Sequence, residues 1–342
     1  MHNVWTDLKK PIIGLGPMDG ITDPAYREIV DIYGHPDLLF TEFAPAEGIT
    51  HKVTPPLRSL IRHQTKTPLI AQLFGSDPKS FYKAFFIVAE MGYDGIDINM
   101  GCPDSNIMKK RGGGAFIGRP TDAKEIIKIV QRAANDWKNG KTIGEAGLRE
   151  EIIIWIKTNR IKKSCPKKIP VSIKTRTGID KHITKEWIST LLDLTPSAII
   201  LHGRTLRQMY HGKADWDEIE KAALLAKHSE TVIIGSGDII SKKQAITFAK
   251  KYKVDGVLIA RAALGNPWIF SDKKPTQKEI YEAIIKHCNL FIEYQPRLKL
   301  YPMRKHLAWY IKGIKGSRAL RNRLVQVVTL EDVKTIFKGT LI

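Results

Sequence analysis

Residue types that take part in catalysis follow the ends of several short apolar runs in this chain of 342 residues. A thiol can transfer a proton, whereas lysine, arginine and histidine side chains can stabilise negative charge that develops during a reaction. Taken singly, each has an ordinary structural explanation, such as a solvated charge or a hydrogen-bonded core histidine. Their common position after apolar runs indicates one shared site, formed by Gln72, Asn99, Cys102, Lys174, Arg176, His202 and Arg261.

The apolar runs before these residues are rich in β-branched side chains and end in glycine or polar residues. Eight of them start at Ile12, Leu38, Leu69, Gly95, Val171, Ala198, Thr231 and Gly256. Continuous apolar runs of this kind are typical of parallel strands that are covered on both faces. Apolar residues recur at helical spacing in four of the intervening segments, 78–91, 122–137, 217–228 and 242–252.

Eight units of strand and helix predict a TIM (β/α)8 barrel, in which the C-terminal ends of all strands meet at one mouth. A doubly wound open sheet would also alternate strands and helices, although it rarely needs eight units. The barrel is expected over residues 1–270, and the purely helical patterns of residues 276–342 predict a small helical domain. Residues 138–168 are too long for an ordinary helix-to-strand connection. They are interpreted as an insertion that projects from the face opposite the mouth.

The composition is that of a globular protein, with 43% hydrophobic and 26% charged residues, which excludes a collagen-like or wholly disordered chain. The charge is unusual, because 55 lysine and arginine residues oppose only 35 acidic residues and leave a net charge of +20. A field of this sign attracts polyanions, nucleic acids first among them. An adaptation for solubility would produce the same total.

The cysteine content suits a reducing compartment. Cys102, Cys165 and Cys288 are odd in number and too widely spaced for a disulfide framework or a zinc site, so we expect a cytoplasmic protein without a metal. The first residues lack a signal peptide's apolar core, and no run approaches the ~18 apolar residues of a membrane span. Cys102 lies on a turn, between glycine and proline, where a thiol could act as acid or nucleophile, although free cysteines are more often buried and inert.

Glycine-rich turns after the last two predicted strands favour a phosphate group. They contain Ser236, Gly237 and Asp238 after the seventh strand, and Ala260 and Arg261 after the eighth. Backbone N–H groups of such turns attract anions together with the dipole of the helix that follows. A phosphorylated ligand held there would extend across the mouth. Because no GxGxxG motif lies between a strand and a helix, a Rossmann domain is not indicated.

Residues 297–323 contain nine lysine and arginine residues and no acidic residue, with aromatic residues interleaved. At about 100° per residue, one arc of a predicted helix carries basic side chains and a separate arc carries apolar ones. The basic arc consists of Arg304, Lys305, Lys312 and Lys315. We expect this arc to contact nucleic-acid phosphates, with a merely solvated basic face as the alternative.

Several motifs then identify a family. In order along the chain they are PMDGITDPAYR, AQLFGSDP, DINMGCP with GGGAFIGRP, SIKTRTG, LHGRTLRQMYHGKADW, IGSGDI, and ARAALGNPWIF with MRKHLAWYIKG. From about Pro11 to about Arg323, this sequence closely resembles the tRNA-dihydrouridine synthases. Two departures stand out: Ser236 occupies a position where related sequences often have asparagine, and the insertion at 138–168 is longer than usual.

The resemblance implies roles for particular residues. Cys102 matches the catalytic cysteine, and Asn99 and Arg176 match positions associated with the target uracil. The FMN cofactor would be held by Pro17, Met18, Asp19, Gln72, Lys174, His202, Ser236, Gly237, Asp238, Ala260 and Arg261. The resemblance further implies tRNA as the partner of a monomeric enzyme and NADPH or NADH as the reductant.

The implied reaction reduces the 5,6 double bond of uridine, with a hydride from flavin to carbon 6 and a proton from Cys102 to carbon 5. One alternative is a flavin-dependent reductase of a free small molecule, such as a dihydropyrimidine or an enone. Another is a non-catalytic RNA-binding barrel, which would take up no FMN. The sequence leaves open which uridine is modified.

Overall fold

The eight apolar runs form a closed parallel barrel in the computed structural model, which describes residues 3–51, 53, 55–161, 164–271, 273–313 and 316–338. The strands are β1 Ile12–Leu15, β2 Leu38–Pro45, β3 Leu69–Phe74, β4 Gly95–Met100, β5 Val171–Arg176, β6 Ala198–His202, β7 Val232–Ser236 and β8 Gly256–Ile259. Each strand pairs with its neighbour in sequence, and β8 closes on β1. The prediction of a TIM barrel is confirmed.

Fifteen α-helices lie in the described ranges. They are α1 Val4–Asp7, α2 Pro24–Gly34, α3 Ala46–His51, α4 Pro55–Arg58, α5 Pro78–Glu90, α6 Ser105–Lys109, α7 Pro120–Lys138, α8 Glu150–Asn159, α9 Thr184–Leu192, α10 Trp216–Leu225, α11 Lys242–Lys251, α12 Gln277–Tyr294, α13 Met303–Tyr310, α14 Ser317–Leu324 and α15 Leu330–Lys338. Short 3₁₀ helices cover Gly113–Gly118, Arg261–Ala263 and Pro267–Phe270. All four helical segments predicted between strands are present, as α5, α7, α10 and α11.

Local sequence signals set the starts of the helices that surround the barrel. Asp23 and Asp77 cap α2 and α5 by accepting hydrogen bonds from backbone N–H groups, and a proline occupies the first turn of each helix. At the N-terminal end of the barrel, Trp5 of α1 is fully buried in an apolar cluster with residues of the strands. This plug leaves the C-terminal end of the strands as the open mouth.

The segment 138–168 contains α8 and packs against the outside of the barrel. Ile152 and Ile156 are fully buried in the main core, and the Lys141 ammonium lies 5.3 Å from the ring centroid of Tyr82 on α5. Lys167 pairs with Asp94 at 3.7 Å, just before the first residue of β4. These contacts extend from the N-terminal half of α5 to the start of β4, so the segment covers the outside of the barrel, and its projection from the face opposite the mouth stays a prediction.

Helices α12 to α15 form a helical domain that shares a core with the barrel. Leu307 of α13 and Ile284 of α12 are fully buried in one cluster with Ala25 and Ile29 of α2 and with Trp268. Because barrel and helical residues exclude water from the same cluster, the two parts stabilise each other. We therefore expect them to unfold together.

Truncation of Leu307 tests this shared core. Leu307→Ala removes a fully buried side chain, which should lower the free energy of unfolding by about 2–5 kcal/mol through lost burial and a residual cavity. Denaturant unfolding followed by circular dichroism should show one shifted transition. Val325→Ala, at a position with 39% exposure, is the matched control and should change stability by about 0.5 kcal/mol or less. Two separate transitions for the variant would contradict a common core.

Candidate active site

A chain of buried hydrogen bonds crosses β3, β4 and β5 at the mouth. The Asp97 carboxylate accepts hydrogen bonds from Gln72 Nε2 at 2.7 Å and from Ser172 Oγ at 2.7 Å. Gln72 Oε1 in turn accepts a hydrogen bond from Asn99 Nδ2 at 3.0 Å. Every one of these side chains is buried, so the chain fixes the orientation of both carboxamides.

Asn99 positions the turn that carries the thiol. Its Oδ1 accepts hydrogen bonds from the backbone N–H groups of Gly101 at 3.1 Å and Cys102 at 2.9 Å. The Cys102 carbonyl accepts a hydrogen bond from Gly114 N at 2.9 Å, which ties the turn to the glycine-rich loop. A Cβ at Gly114 would lie 2.4 Å from Leu206, so this close approach requires glycine.

The surroundings of the Cys102 thiol disfavour the thiolate. Burial raises the pKa of Cys102, and the carboxylates of Asp104 and Asp19 add to this effect. The backbone at Asp104 and the guanidinium of Arg176 oppose the rise without cancelling it. A thiol near neutral pH can give up a proton to a substrate, which suits an acid better than a nucleophile.

Lys174 and Asp97 lie inside the barrel and influence each other's pKa. Burial lowers the pKa of Lys174 to about 8, with Arg176 adding to the decrease and Asp97 opposing it. Burial raises the pKa of Asp97 to about 6, while its hydrogen bonds to Ser172 and Gln72 and the charge of Lys174 act in the opposite direction. The ammonium is therefore a desolvated cation, which acts strongly on charge that develops nearby.

Arg176 is buried, and its Nε and Nη1 groups donate hydrogen bonds to backbone carbonyls of the protein. Its Nε donates a hydrogen bond to the Gly101 carbonyl at 3.0 Å, and its Nη1 donates to the carbonyls of Thr205 at 2.9 Å and Met209 at 3.1 Å. Arg176 thus joins the cysteine turn to the loop after β6. Because it still lines the cavity at the mouth, it contributes positive charge there.

The ends of β6, β7 and β8 form a second, strongly basic region. The Asp238 carboxylate binds Arg204 Nη2 at 2.6 Å and Arg261 Nη2 at 3.0 Å, so it holds two guanidinium groups side by side. Arg204 is only 2% exposed, whereas the Arg261 side chain is 51% exposed. Gly237 has a φ of +132°, and a Cβ at this position would lie 2.5 Å from Ala214, which accounts for the glycine in this turn.

His202 lies between these basic groups and stays neutral. Burial lowers the pKa of His202 well below its ordinary value, and the charges of Lys174, Arg176, Arg204 and Arg261 lower it further. Its Nε2 is 3.3 Å from Arg204 Nη1. A neutral imidazole with an arginine N–H directed at Nε2 presents Nδ1 as a donor.

Two adjoining cavities occupy the mouth. The larger, of about 1130 Å³, exposes Gln72, Asn99 and Cys102 and extends to Gln295 and Leu298 of the helical domain. The smaller, of about 410 Å³, is enclosed by the basic region and its glycine turns. Both are lined by Pro17, Met18, Lys174, Arg176, Tyr210 and Arg261.

Every residue that the sequence assigned to the mouth lines one or both cavities. The larger cavity adds Asp19, and the smaller adds His202, Ser236, Gly237, Asp238 and Ala260. Sequence reasoning missed Asp97, Arg204, Glu42 and Tyr210. Arg204 stands in the HGRT motif and Asp97 in DINMGCP, so both lay within conspicuous motifs, but only their contacts show what they do.

The predicted basic arc is wrong as a single helical face. Helix α13 ends at Tyr310, before Gly313 with a φ of +86°, so Lys312 does not share its surface. Arg304 donates to the carbonyls of Val327 and Gln326, both at 2.9 Å, and these bonds tie it to the helical domain. Lys305 hydrogen-bonds to the Gly20 carbonyl beside the mouth. Lys315 lies outside the described residues.

The described residues contain neither a helix long and apolar enough to cross a membrane nor a cluster of three or more metal-ligating side chains. The fold and the residues at the mouth define a (β/α)8 barrel whose cavity has a thiol on one side and an arginine-rich region on the other.

Comparison with known proteins gives the particular family. The model of the dihydrouridine synthase (Dus) family matches residues 14–142 and 136–340. The chain is 29% identical to the "Probable tRNA-dihydrouridine synthase" of Staphylococcus aureus (strain COL), over 98% of this chain and 94% of that protein. It is 28% identical to the "Probable tRNA-dihydrouridine synthase 2" of Bacillus subtilis (strain 168), over 98% and 95%. The chain belongs to the dihydrouridine synthase family, whose members are oxidoreductases.

The protonation state of Cys102 can be measured by alkylation. In a Cys165→Ser variant, the rate of iodoacetamide reaction should rise with pH around a midpoint above that of a cysteine in an unfolded peptide, because burial disfavours the thiolate. Cys288 is fully buried and should not contribute in the folded protein. A midpoint at or below that of the peptide would contradict a raised pKa for Cys102.

Proposed function

We propose that this protein reduces specific uridines of tRNA to 5,6-dihydrouridine, with FMN as its cofactor and NADPH or NADH as the reductant. Membership of the dihydrouridine synthase family carries the reaction, and the names of the relatives support tRNA as the substrate. The proposed substrate agrees with a cytoplasmic location. The single structural observation that supports it best is that the Cys102 thiol and the Lys174 ammonium line one cavity, which adjoins a second cavity lined by basic residues and glycine turns.

The residues of the mouth fit a flavin mononucleotide. The backbone turns at Ser236, Gly237 and Ala260, together with the Arg261 guanidinium, supply the N–H donors that a phosphate group requires. The carboxamide of Gln72 and the ammonium of Lys174 are suited to the polar edge of the ring system. Pro17 and Met18 line both cavities and provide apolar contact between these two ends.

When bound and reduced, FMN supplies the hydride that carbon 6 of the uracil receives. Cys102 donates its thiol proton to carbon 5, and the thiolate that remains regains a proton from solvent. The raised pKa of Cys102 keeps this proton available at neutral pH. Hydrogen bonds from its backbone N–H to Asn99 hold the thiol in one place during the transfer.

Lys174 and His202 act through electrostatics and hydrogen bonding. The Lys174 ammonium stabilises negative charge that develops on the cofactor or the base, and its burial strengthens this interaction. His202 donates a hydrogen bond as a neutral imidazole, because burial and the charges of Lys174 and the surrounding guanidinium groups disfavour a further positive charge. Asn99 and Arg176 line the cavity where the base would lie.

The helical domain extends the mouth toward the rest of the tRNA. The larger cavity runs from Cys102 to Gln295 and Leu298, so a base turned out of its stack could enter while the flanking nucleotides contact both domains. Among the predicted basic residues, Lys305 and Lys312 remain candidates for phosphate contacts, and Lys305 lies next to the mouth. Arg304 is assigned a structural role instead.

Replacement of the thiol tests the acid. Cys102→Ala should retain FMN, seen in its absorbance spectrum, but should nearly abolish dihydrouridine formation on a tRNA transcript, because no group remains to protonate carbon 5. Cys165→Ala, at an exposed position outside the mouth, is the control and should match the unaltered enzyme. Undiminished product from Cys102→Ala would remove the thiol from the mechanism. Turnover of free uracil in preference to tRNA would favour a small-molecule reductase.

Replacement of Arg261 tests the phosphate end. Arg261→Ala should weaken FMN binding by roughly tenfold, measured by quenching of flavin fluorescence, because a charge-assisted hydrogen bond is lost at a half-exposed position. Arg207→Ala, which removes an exposed arginine paired with Asp180 at 2.7 Å, should leave the affinity unchanged. Equal FMN affinity in both variants would place the phosphate elsewhere.

A further inference from the structure

Strand β2 contains a bulge that directs an acidic side chain into the mouth. Phe40 pairs with Ile70 and Phe43 pairs with Gln72, so Thr41 and Glu42 together face a single residue of β3. A bulge of this kind commonly redirects a side chain beside an active site. Glu42 lines the same large cavity as Cys102.

The bulge is part of the hydrogen-bond arrangement that orders the mouth. The Thr41 hydroxyl accepts a hydrogen bond from the backbone N–H of Gln72 at 3.0 Å, which replaces a bond of the regular sheet. On the other side of Glu42, the backbone N–H of Gly20 hydrogen-bonds to its carboxyl group. Glu42 is therefore held between β3 and the loop after β1.

The surroundings of Glu42 disfavour a negative charge. Burial and the carboxylate of Asp23 raise the pKa of Glu42 to about 7, Asp19 adds to the rise, and Arg27 opposes it. The pKa of Asp19 and that of Asp23 are also raised by burial. The titratable and charged groups on the elements around it are Asp19, Asp23, Arg27, Arg58 and Lys305, and across the cavity Cys102, Asp104, Lys174, Arg176 and Arg261.

A pyrimidine base in this cavity needs hydrogen-bond donors for its two carbonyl oxygens, since a buried carbonyl without a donor is costly. Several donors at the mouth are partly used within the protein. Gln72 Nε2 donates one N–H to Asp97, Asn99 Nδ2 donates one to Gln72, and Arg176 uses Nε and Nη1 on backbone carbonyls. One N–H on each amide and the Nη2 group of Arg176 remain for the cofactor and the base. Lys174 on β5 can supply one donor, and the neutral carboxyl group on β2 can supply another.

Building on the proposed function, we propose that Glu42, in its neutral form, donates a hydrogen bond to a carbonyl oxygen of the base that Cys102 protonates. Glu42 is thereby a substrate-binding residue of the reaction, on the wall formed by β2. Once Glu42 loses its proton, it repels the same oxygen instead of binding it. Binding of the base should therefore weaken as the pH rises.

The test compares pH profiles of kcat/KM for dihydrouridine formation on a tRNA transcript, between pH 5.5 and 8.5. For the unaltered enzyme, kcat/KM should fall as the pH rises through about 7. Glu42→Gln keeps a donor that does not ionise, so this fall should be absent. Glu42→Ala should be roughly tenfold less efficient at pH 6, because the donor is lost. Glu125→Gln, an exposed position on α7, should follow the unaltered enzyme.

Any decrease caused by Lys174 or Cys102 at higher pH should remain in all variants. Flavin absorbance and thermal unfolding of each variant show whether it is folded and loaded, and the Glu42→Gln profile decides the question if Glu42→Ala does not fold. An unaltered enzyme that makes no dihydrouridine at any pH refutes the proposed function itself. An active enzyme whose profile is unchanged in Glu42→Gln, or whose kcat/KM rises through pH 7, refutes only the role of Glu42.

Discussion

The buried hydrogen-bond chain from Asp97 through Gln72 to Asn99 is the constraint on which the mouth depends. The Asp97 carboxylate accepts hydrogen bonds from Gln72 on β3 and Ser172 on β5. Asn99, which is bonded to Gln72, accepts a hydrogen bond from the backbone N–H of Cys102 and so positions that residue. Inside a barrel of low dielectric, loss of one partner leaves the others buried and unsatisfied. The chain therefore favours one arrangement of polar groups, and through Asn99 it positions the turn that carries Cys102.

This fixed arrangement divides the mouth by charge. On the side of β6 to β8, Asp238 holds Arg204 and Arg261 together, and burial together with the surrounding positive charges lowers the pKa of His202. On the side of β1 and β2, burial raises the pKa of Glu42, and the carboxylates of Asp23 and Asp19 raise it further. A ligand with a phosphate at one end and a ring with carbonyl oxygens at the other complements both sides. Burial raises the pKa of the Cys102 thiol, and the carboxylates of Asp104 and Asp19 on the acidic side add to this effect.

Much of the fold could be predicted because its signals are local. A continuous apolar run such as Ile12–Leu15 indicates a buried parallel strand, and eight such strands define the mouth and the residues that follow each strand. The residues that were missed depend on contacts far along the chain. The sequence places Asp97 in the interior of a strand, and only its hydrogen bonds with Ser172 and Gln72 show what it does. The role of Arg204 likewise depends on its contact with Asp238, which lies 34 residues later in the chain.

For the basic segment 297–323, the sequence predicted one continuous basic helical face that the structure does not contain in the described residues. Its periodicity is real, but a turn at Gly313 ends the helix early, and carbonyl groups more than twenty residues later bind Arg304. Glu42 could not be singled out either, because its direction depends on a shift in the pairing of β2 with β3. Charge and periodicity indicate which residues could bind RNA, whereas tertiary contacts decide which of them are available.

The most direct test of the account is a map of dihydrouridine in tRNA from cells with and without the gene for this chain. In cells without the gene, dihydrouridine should disappear from one or more defined tRNA positions, and it should return when the gene is restored. An identical map in both strains, with every position still modified, would contradict it.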